Sequence, residues 1–340
     1  MNIPTPKTSF YPVRSLQFQG VGSSALSAAM EIGLFDALAD GPALPEQIAE
    51  ATGTLDDRLA PLLDVCVAFD LLERKGAKYS NTPTAAEFLV SSSPLFQGKA
   101  MQLNTYFMSL CTENMVHLLR NKEGLSEQAA PWAADFAMEG TAQEAMAGPM
   151  QRAVEIIAEL PGFSEFTRMC DIGGNHGTFS MLLTDRNPSL RAVICDLPDV
   201  VETAAERCRK LGYDGRVETM AYDMRKDQLP EASFDLALAS HVFYSLVSSE
   251  DAWAEALGRI CRSLKPGGWF VSHHMAKDED TSAKDASLLD LVTRLAGYKS
   301  HFLPVDTLSD MLAAYGLQDI RVVKTSSKGW STLVAARKPL

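Results

Sequence analysis

The sequence predicts an α/β architecture: a seven-stranded, mostly parallel sheet with helices on both faces, preceded by a smaller helical unit carrying a β wing. Three observations carry this expectation. From Phe163 onward, short apolar runs alternate with amphipathic stretches of helical period, the pattern of a parallel sheet with crossover helices. Before that point apolar residues recur mainly at helical spacing. Near the C-terminus two apolar runs flank Ser326–Gly329, which predicts a hairpin and hence one strand opposed to the others, inserted at the sheet's edge.

Each element follows in order. Ala25–Leu38 has apolar residues at helical spacing, and Asp40-Gly41-Pro42 stops it. Leu44–Thr52 reads as a short second helix ending at Gly53, and Asp57–Leu72 as a third. Leu72–Gly76 and Lys78–Asn81 then form the wing of a winged-helix unit. Pro94–Glu159 is helical and rich in Met, Ala and aromatics, with breaks at Gly124 and Gly140. Strands are expected at 168–171, 191–196, 217–221, 234–240, 269–273, 320–325 and 332–337, with helices at 177–185, 200–211 and 249–264. The expected division is a winged-helix domain over 1–95, a helical connector lining the pocket over 96–160, and a ligand-binding α/β domain over 161–340.

Composition narrows the function classes. Hydrophobic residues make up 46% of the 340 and charged residues 22%, the balance of a soluble globular protein. No apolar run reaches membrane-spanning length and no signal-like stretch opens the chain, so a cytoplasmic protein with no membrane partner is expected. None of the six cysteines has CxxC spacing; they read as small core residues. A winged helix invites a DNA-binding reading, and charge decides against it. The net charge is −12, and the third helix carries Asp56, Asp57, Asp64 and Asp70 against Arg58 alone, a face that repels phosphate.

The ligand site is expected where the first strand of the sheet meets its helix, at Asp171-Ile-Gly173-Gly174-Asn175-His-Gly177. Glycines allow a sharp turn and close approach of backbone to ligand, and Asn175 is among the residues that tolerate a left-handed conformation. Three acids stand at successive strand ends. Asp171 suits an ammonium, Asp196 two ribose hydroxyls, and Asp223 with Met224 an adenine amine and face. Each acid alone also fits a helix cap or a solvated loop; all three in succession favour a nucleoside-bearing ligand.

These motifs resemble the caffeic-acid and hydroxyindole type of S-adenosylmethionine-dependent O-methyltransferase along nearly the whole chain. Glu31–Gly41 and Leu71–Arg74 are similar to its winged-helix dimerisation domain. Asp171–Gly177, Asp196–Val200, Asp223-Met224 and Leu264–Gly268 are similar to its donor-binding core. The resemblance implies a Rossmann-like methyltransferase domain, S-adenosylmethionine held by Asp171, Gly173, Gly174, Asn175, Gly177, Asp196, Leu197, Asp223, Met224 and Ser240, a small-molecule acceptor, and a homodimer.

One motif departs from the family. The segment after the fourth strand of the sheet, Ser240-His-Val-Phe-Tyr244-Ser-Leu246, places Tyr244 where the family carries a histidine base, and His274 stands in place of an acidic partner. A tyrosine of ordinary pKa, about 10, is a poor base at neutral pH unless its surroundings lower it. His241, His273, His274 and His301 fall in segments that meet at the carboxyl edge of the sheet. Adjacent His273 and His274 are expected to diverge, so that one of them faces the pocket. His241, His273 and His301 could therefore hold one zinc or iron ion, with metal-assisted C-methylation of an α-keto acid as the leading expectation. The alternative is O-methylation of a small aromatic hydroxyl with Tyr244 and His274 handling the proton. A third reading, from another class, is a donor-binding regulator or non-methylating relative.

Overall fold

The computed structural model describes residues 3–121, 125, 132–247, 249–277, 279, 281–326 and 330–340. The expected break at Gly124 and most of the hairpin turn 326–329 lie outside the described residues. The chain divides into two compact units, 1–101 and 102–340.

The first unit is helical with a two-stranded wing. Helix α1 (Tyr11–Glu31) begins well before the expected Ala25, with Pro12 in its first turn, where the missing N–H costs no hydrogen bond. Its early turns expose Tyr11, Leu16, Phe18 and Val21, so apolar residues there follow no buried stripe and periodicity misses them. Helices α2 (Pro45–Thr52) and α3 (Asp56–Ala68) follow, then β1 (Leu72–Lys75) and β2 (Lys78–Asn81), paired antiparallel, and α4 (Pro83–Phe88). Gly53 takes a left-handed conformation that ends α2, and the Thr82 hydroxyl caps α4 by accepting from the Ala85 N–H. Leu34, Phe35, Ile48, Leu59, Leu63, Cys66, Leu72 and Tyr79 form the core.

Helix α5 (Gly98–Glu113) spans the division, and α6 (Met115–Arg120), α7 (Asp135–Ala145) and α8 (Pro149–Ala158) belong to the second unit. There follow β3 (Arg168–Ile172), α9 (Thr178–Arg186), β4 (Arg191–Asp196), α10 (Pro198–Lys210), β5 (Val217–Ala221), β6 (Phe234–Ser240), α11 (Glu250–Ser263) and β7 (Leu264–Met275). Helices α12 (Ala283–Leu295) and α13 (Val305–Ala314) and strands β8 (Gln318–Lys324) and β9 (Ser331–Arg337) complete the chain. The seven strands lie in the order β5-β4-β3-β6-β7-β9-β8. Strand β9 runs against both β7 and β8, so the opposed strand is second from the edge.

Side-chain alternation accounts for the two layers of core. Cys170, Ile172, Ala237, Ala239 and Phe270 pack on one face with Trp253, Leu257, Ile260 and Leu308 of α11 and α13. Met169, Leu236, Leu238, Trp269 and Val271 pack on the other with Val154, Phe179, Val200 and Ala204. The six cysteines are buried free thiols, and no helix among the described residues is long and apolar enough to cross a membrane.

Asp235 ties the near end of this sheet together. It accepts hydrogen bonds from the Thr167 and Arg168 N–H groups at 2.9 Å each and from the Thr167 hydroxyl, and pairs with Lys265 at 2.8 Å. Burial works to raise its pKa, but Lys265 and these donors outweigh it and hold the carboxyl below its ordinary value. A folded pKa below the unfolded one gives stability that is present above the unfolded pKa and lost as pH falls through the folded one. Asp235→Ala is therefore expected to lower the unfolding free energy by roughly 1–3 kcal/mol at neutral pH. Urea titrations should show the gap between variant and wild type closing below about pH 4; a gap that persists in acid would show that packing, not charge, is the cause.

Candidate functional site

Strand β3 delivers the chain to a turn that tolerates almost no added side chain. Gly173 (φ +64°) and Gly177 (φ +69°) are left-handed, and a Cβ on them would stand 2.3 Å from Val242 Cγ2 and 2.6 Å from Ile194 Cδ1. A Cβ on Gly174 would stand 2.7 Å from Asp171 Cγ. Asn175 adopts φ +40°, the left-handed conformation expected of it. The Asn175 N–H donates to Asp196 Oδ2 at 2.9 Å and the Leu197 N–H to Oδ1 at 2.8 Å. Asp196 ends β4 and stays partly exposed, with acceptor capacity to spare for two vicinal hydroxyls. Together the close glycine turn and this carboxylate fit the nucleoside end of the implied donor.

Asp171 lies under Gly174, fully buried, and accepts from the Ser180 hydroxyl at 2.8 Å. Burial, with the Asp196 charge adding to it against the Ser180 bond, raises its pKa to about 7. Asp223 follows β5, but its oxygens are engaged by Arg225 at 2.9 and 3.1 Å, which holds its pKa down. His176 is a helix-start residue: Nδ1 accepts from the Thr178 N–H at 3.1 Å.

Several residues that hold this turn escaped the sequence reading. Thr141 donates to Asn175 Oδ1 at 3.2 Å, and Asn175 Nδ2 donates to the Trp132 carbonyl. Arg207, ion-paired with Glu139 at 2.8 Å, donates to the His176 carbonyl. Arg259 donates to the carbonyls of Met224 and Arg225, fixing the loop after β5. These contacts cross long sequence separations, for which a lone sequence carries no signal.

Beyond β6 the structure gathers the residues expected around the acceptor. His241 is left-handed (φ +53°), unusual for a non-glycine residue, and its N–H donates to the His273 carbonyl at 2.8 Å. The residue is exposed, with Nδ1 2.8 Å from the Tyr244 hydroxyl. That hydroxyl also accepts from the Met275 N–H at 3.1 Å, and the Tyr244 ring stacks on His301 at 4.2 Å between centroids. His273 and His274 diverge, as adjacent strand residues must. His273 meets His241 and Phe179, while His274 is wholly buried with Nδ1 2.9 Å from Ser272 Oγ. Ser240 approaches His273 Nδ1 at 3.3 Å.

Comparison with known proteins decides the family. The O-methyltransferase domain model matches residues 134–299 and the O-methyltransferase dimerisation domain model residues 15–91, which together take in more than half of the chain. The chain belongs to the O-methyltransferase family. The 3-hydroxy-5-methyl-1-naphthoate 3-O-methyltransferase of Streptomyces sahachiroi is 27% identical, over 93% of this chain and 92% of its own. The N,N-dimethyltransferase OxyT of Streptomyces rimosus is 29% identical over 76% of each. The crystal structure of human N-acetylserotonin methyltransferase with S-adenosylmethionine shares the fold, with a TM-score of 0.78 at 23% identity over 99% of this chain and 100% of that one. This chain is thus an S-adenosylmethionine-dependent methyltransferase with a helical N-terminal dimerisation domain and a Rossmann-like core.

Within this methyltransferase, one expectation about the acceptor side needs correction. The three-histidine metal site does not form: among the described residues no group of three His, Cys, Asp or Glu side chains is placed to hold an ion. Both ring nitrogens of His273 are already engaged, by Ser240 and by Thr325 and Ser331 at 3.1 and 2.9 Å. His241 Nδ1 meets the Tyr244 hydroxyl, and His301 Nδ1 approaches Thr293 at 3.4 Å. Metal-assisted C-methylation of an α-keto acid loses its ground with that site. Burial pushes the pKa of Tyr244 further up, against the Met275 N–H, rather than toward neutral pH.

Proposed function

We propose that this enzyme methylates the hydroxyl of a small aromatic acceptor, as a cytoplasmic homodimer formed through its N-terminal domain. The observation that carries the reading is the glycine turn closed onto Asp196, in a chain matched to both domains of the O-methyltransferase family. Relatives named for O-methylation of aromatic hydroxyls align along about nine-tenths of it or more. Gly173, Gly174, Asn175, Gly177, Asp196 and Leu197 would hold the donor, with Asp171 beneath them. When bound, S-adenosylmethionine supplies a methyl group on a positively charged sulfur. The remaining work is positioning and keeping the acceptor oxygen electron-rich.

Methyl-labelled S-adenosylmethionine offered with naphthols and phenols, and separately with α-keto acids and arylamines, tests the reaction class. Label is expected in ethers of the hydroxyl compounds; transfer only to carbon or nitrogen would overturn the reading. For the dimer, the exposed Leu16 and Phe18 of α1 are the residues to change. The double change Leu16→Asp, Phe18→Asp is expected to convert a dimer to a monomer in light scattering. An unchanged mass would place the interface elsewhere.

A further inference from the structure

His241 combines three features that no structural role requires together: a left-handed backbone, an exposed position at the carboxyl end of β6, and one nitrogen tied off. The Tyr244 oxygen accepts the Met275 N–H, and among the described residues His241 Nδ1 is the acceptor within reach of its buried proton, which assigns the hydroxyl as donor in that contact. A neutral imidazole that accepts at Nδ1 carries its proton on Nε2. No described residue hydrogen-bonds that Nε2. His241 therefore presents a donor, the opposite of what a general base would present.

Nothing nearby converts it into a base. The groups facing it are Tyr244, His273 and His301, with His274 close enough to be felt, and no carboxylate among the described residues supports any of these rings. A base of the usual design needs such a partner to orient it and stabilise the imidazolium. Burial instead keeps His274 and His301 neutral, lowering them to about 3 and about 4. An ordinary phenol, with a pKa near 10, is ionised to only about one part in a thousand at pH 7.

We propose that this site takes its acceptor as a preformed oxyanion, held by the Nε2–H of His241, and so selects acidic hydroxyls such as the enol of a 1,3-dicarbonyl or a phenol conjugated to a carbonyl or nitro group. The inference rests on the hydroxyl-methylating reading above and names its substrate class. The acceptor loses its proton to bulk water before it reacts. Its oxygen then gives an electron pair to the methyl carbon, the O–C bond forming as the C–S bond breaks with that pair left on sulfur. An anion and a sulfonium become an ether and a neutral thioether, and no further reactant is needed.

The test uses nitro- and cyano-substituted phenols and naphthols of solution pKa from about 5 to about 10, whose anions absorb at longer wavelength than the neutral forms. Each is titrated against pH while bound to the full-length protein with S-adenosylhomocysteine. The bound spectrum is expected to be that of the anion about one pH unit or more below the solution pKa, the shift a charge-assisted hydrogen bond gives. His241→Phe should abolish that depression and cut kcat/KM about ten- to a hundredfold, with donor affinity unchanged to show that the variant is folded. In turnover, the pH midpoint of kcat/KM should move with the pKa of each acceptor. Neutral acceptor bound to the wild type, or one midpoint shared by all acceptors, would overturn the oxyanion inference while leaving hydroxyl methylation intact. Methylation of none of them, with donor binding normal, would overturn both.

Discussion

Asp196→Ala is expected to weaken S-adenosylmethionine binding by about 2 kcal/mol, roughly thirtyfold in Kd. The side chain does two things at the end of β4. It accepts the Asn175 and Leu197 N–H groups, drawing the glycine turn toward the strand end, and in the proposed donor site its spare lone pairs would meet the ribose. Removing it takes away a charged acceptor and frees the turn that Gly173, Gly174 and Gly177 shape. Asp196→Asn separates the two contributions, because one amide oxygen still accepts a backbone N–H while the charge is gone. Calorimetry should place the asparagine variant between wild type and alanine. Equal donor affinity in all three would show that the donor is held elsewhere.

The glycine turn and the acids around it were legible in the sequence because their physics is local. Glycines at a strand–helix junction and acids at successive strand ends announce themselves by type and spacing, and the structure brings Gly173–Gly177, Asp171 and Asp196 together. Asp223 shows the limit of that reasoning: Arg225, two residues away, takes up its carboxylate, and spacing alone does not tell a ligand contact from a local ion pair. The inner strands of the sheet were equally legible, since strands covered on both faces are mostly apolar. The start of α1 was not, because a helix that leaves apolar residues exposed has no buried stripe to detect. The histidine cluster misled for a different reason. Four histidines arriving at one sheet edge is a correct inference from topology, but coordination depends on which nitrogens are free. Ser240, Thr325 and Ser331 around His273, and Tyr244 against His241, settle that through side-chain geometry that no spacing encodes.

Donor affinity is expected to rise with pH between about 5.5 and 7 and then level, by up to about tenfold per unit. The cause is Asp171, whose burial, reinforced by Asp196, lifts its pKa to about 7 in the free protein. The sign follows from linkage. A folded pKa above the unfolded one means that the fold holds a proton the unfolded chain has released. Stability from this group is thus fully present below the unfolded pKa, near 4, and is lost as pH rises through 7, at up to about 1.4 kcal/mol per unit. A donor that carries an ammonium and a sulfonium reverses the preference, because positive charge beside Asp171 favours the carboxylate. Binding at pH 6 should then release close to one proton, measurable by calorimetry in buffers of different ionisation enthalpy. Asp171→Asn should flatten the pH dependence, remove the proton release, and make the free protein less sensitive to pH from 5 to 7. Ser180→Ala should push the dependence to higher pH, since the hydroxyl at 2.8 Å favours the ionised form. A wild-type affinity that does not change from pH 5.5 to 7.5 would mean that Asp171 keeps the same protonation state with and without donor. Its carboxyl would then be a purely structural prop under Gly174, and the donor's charge would be balanced by Asp196 alone.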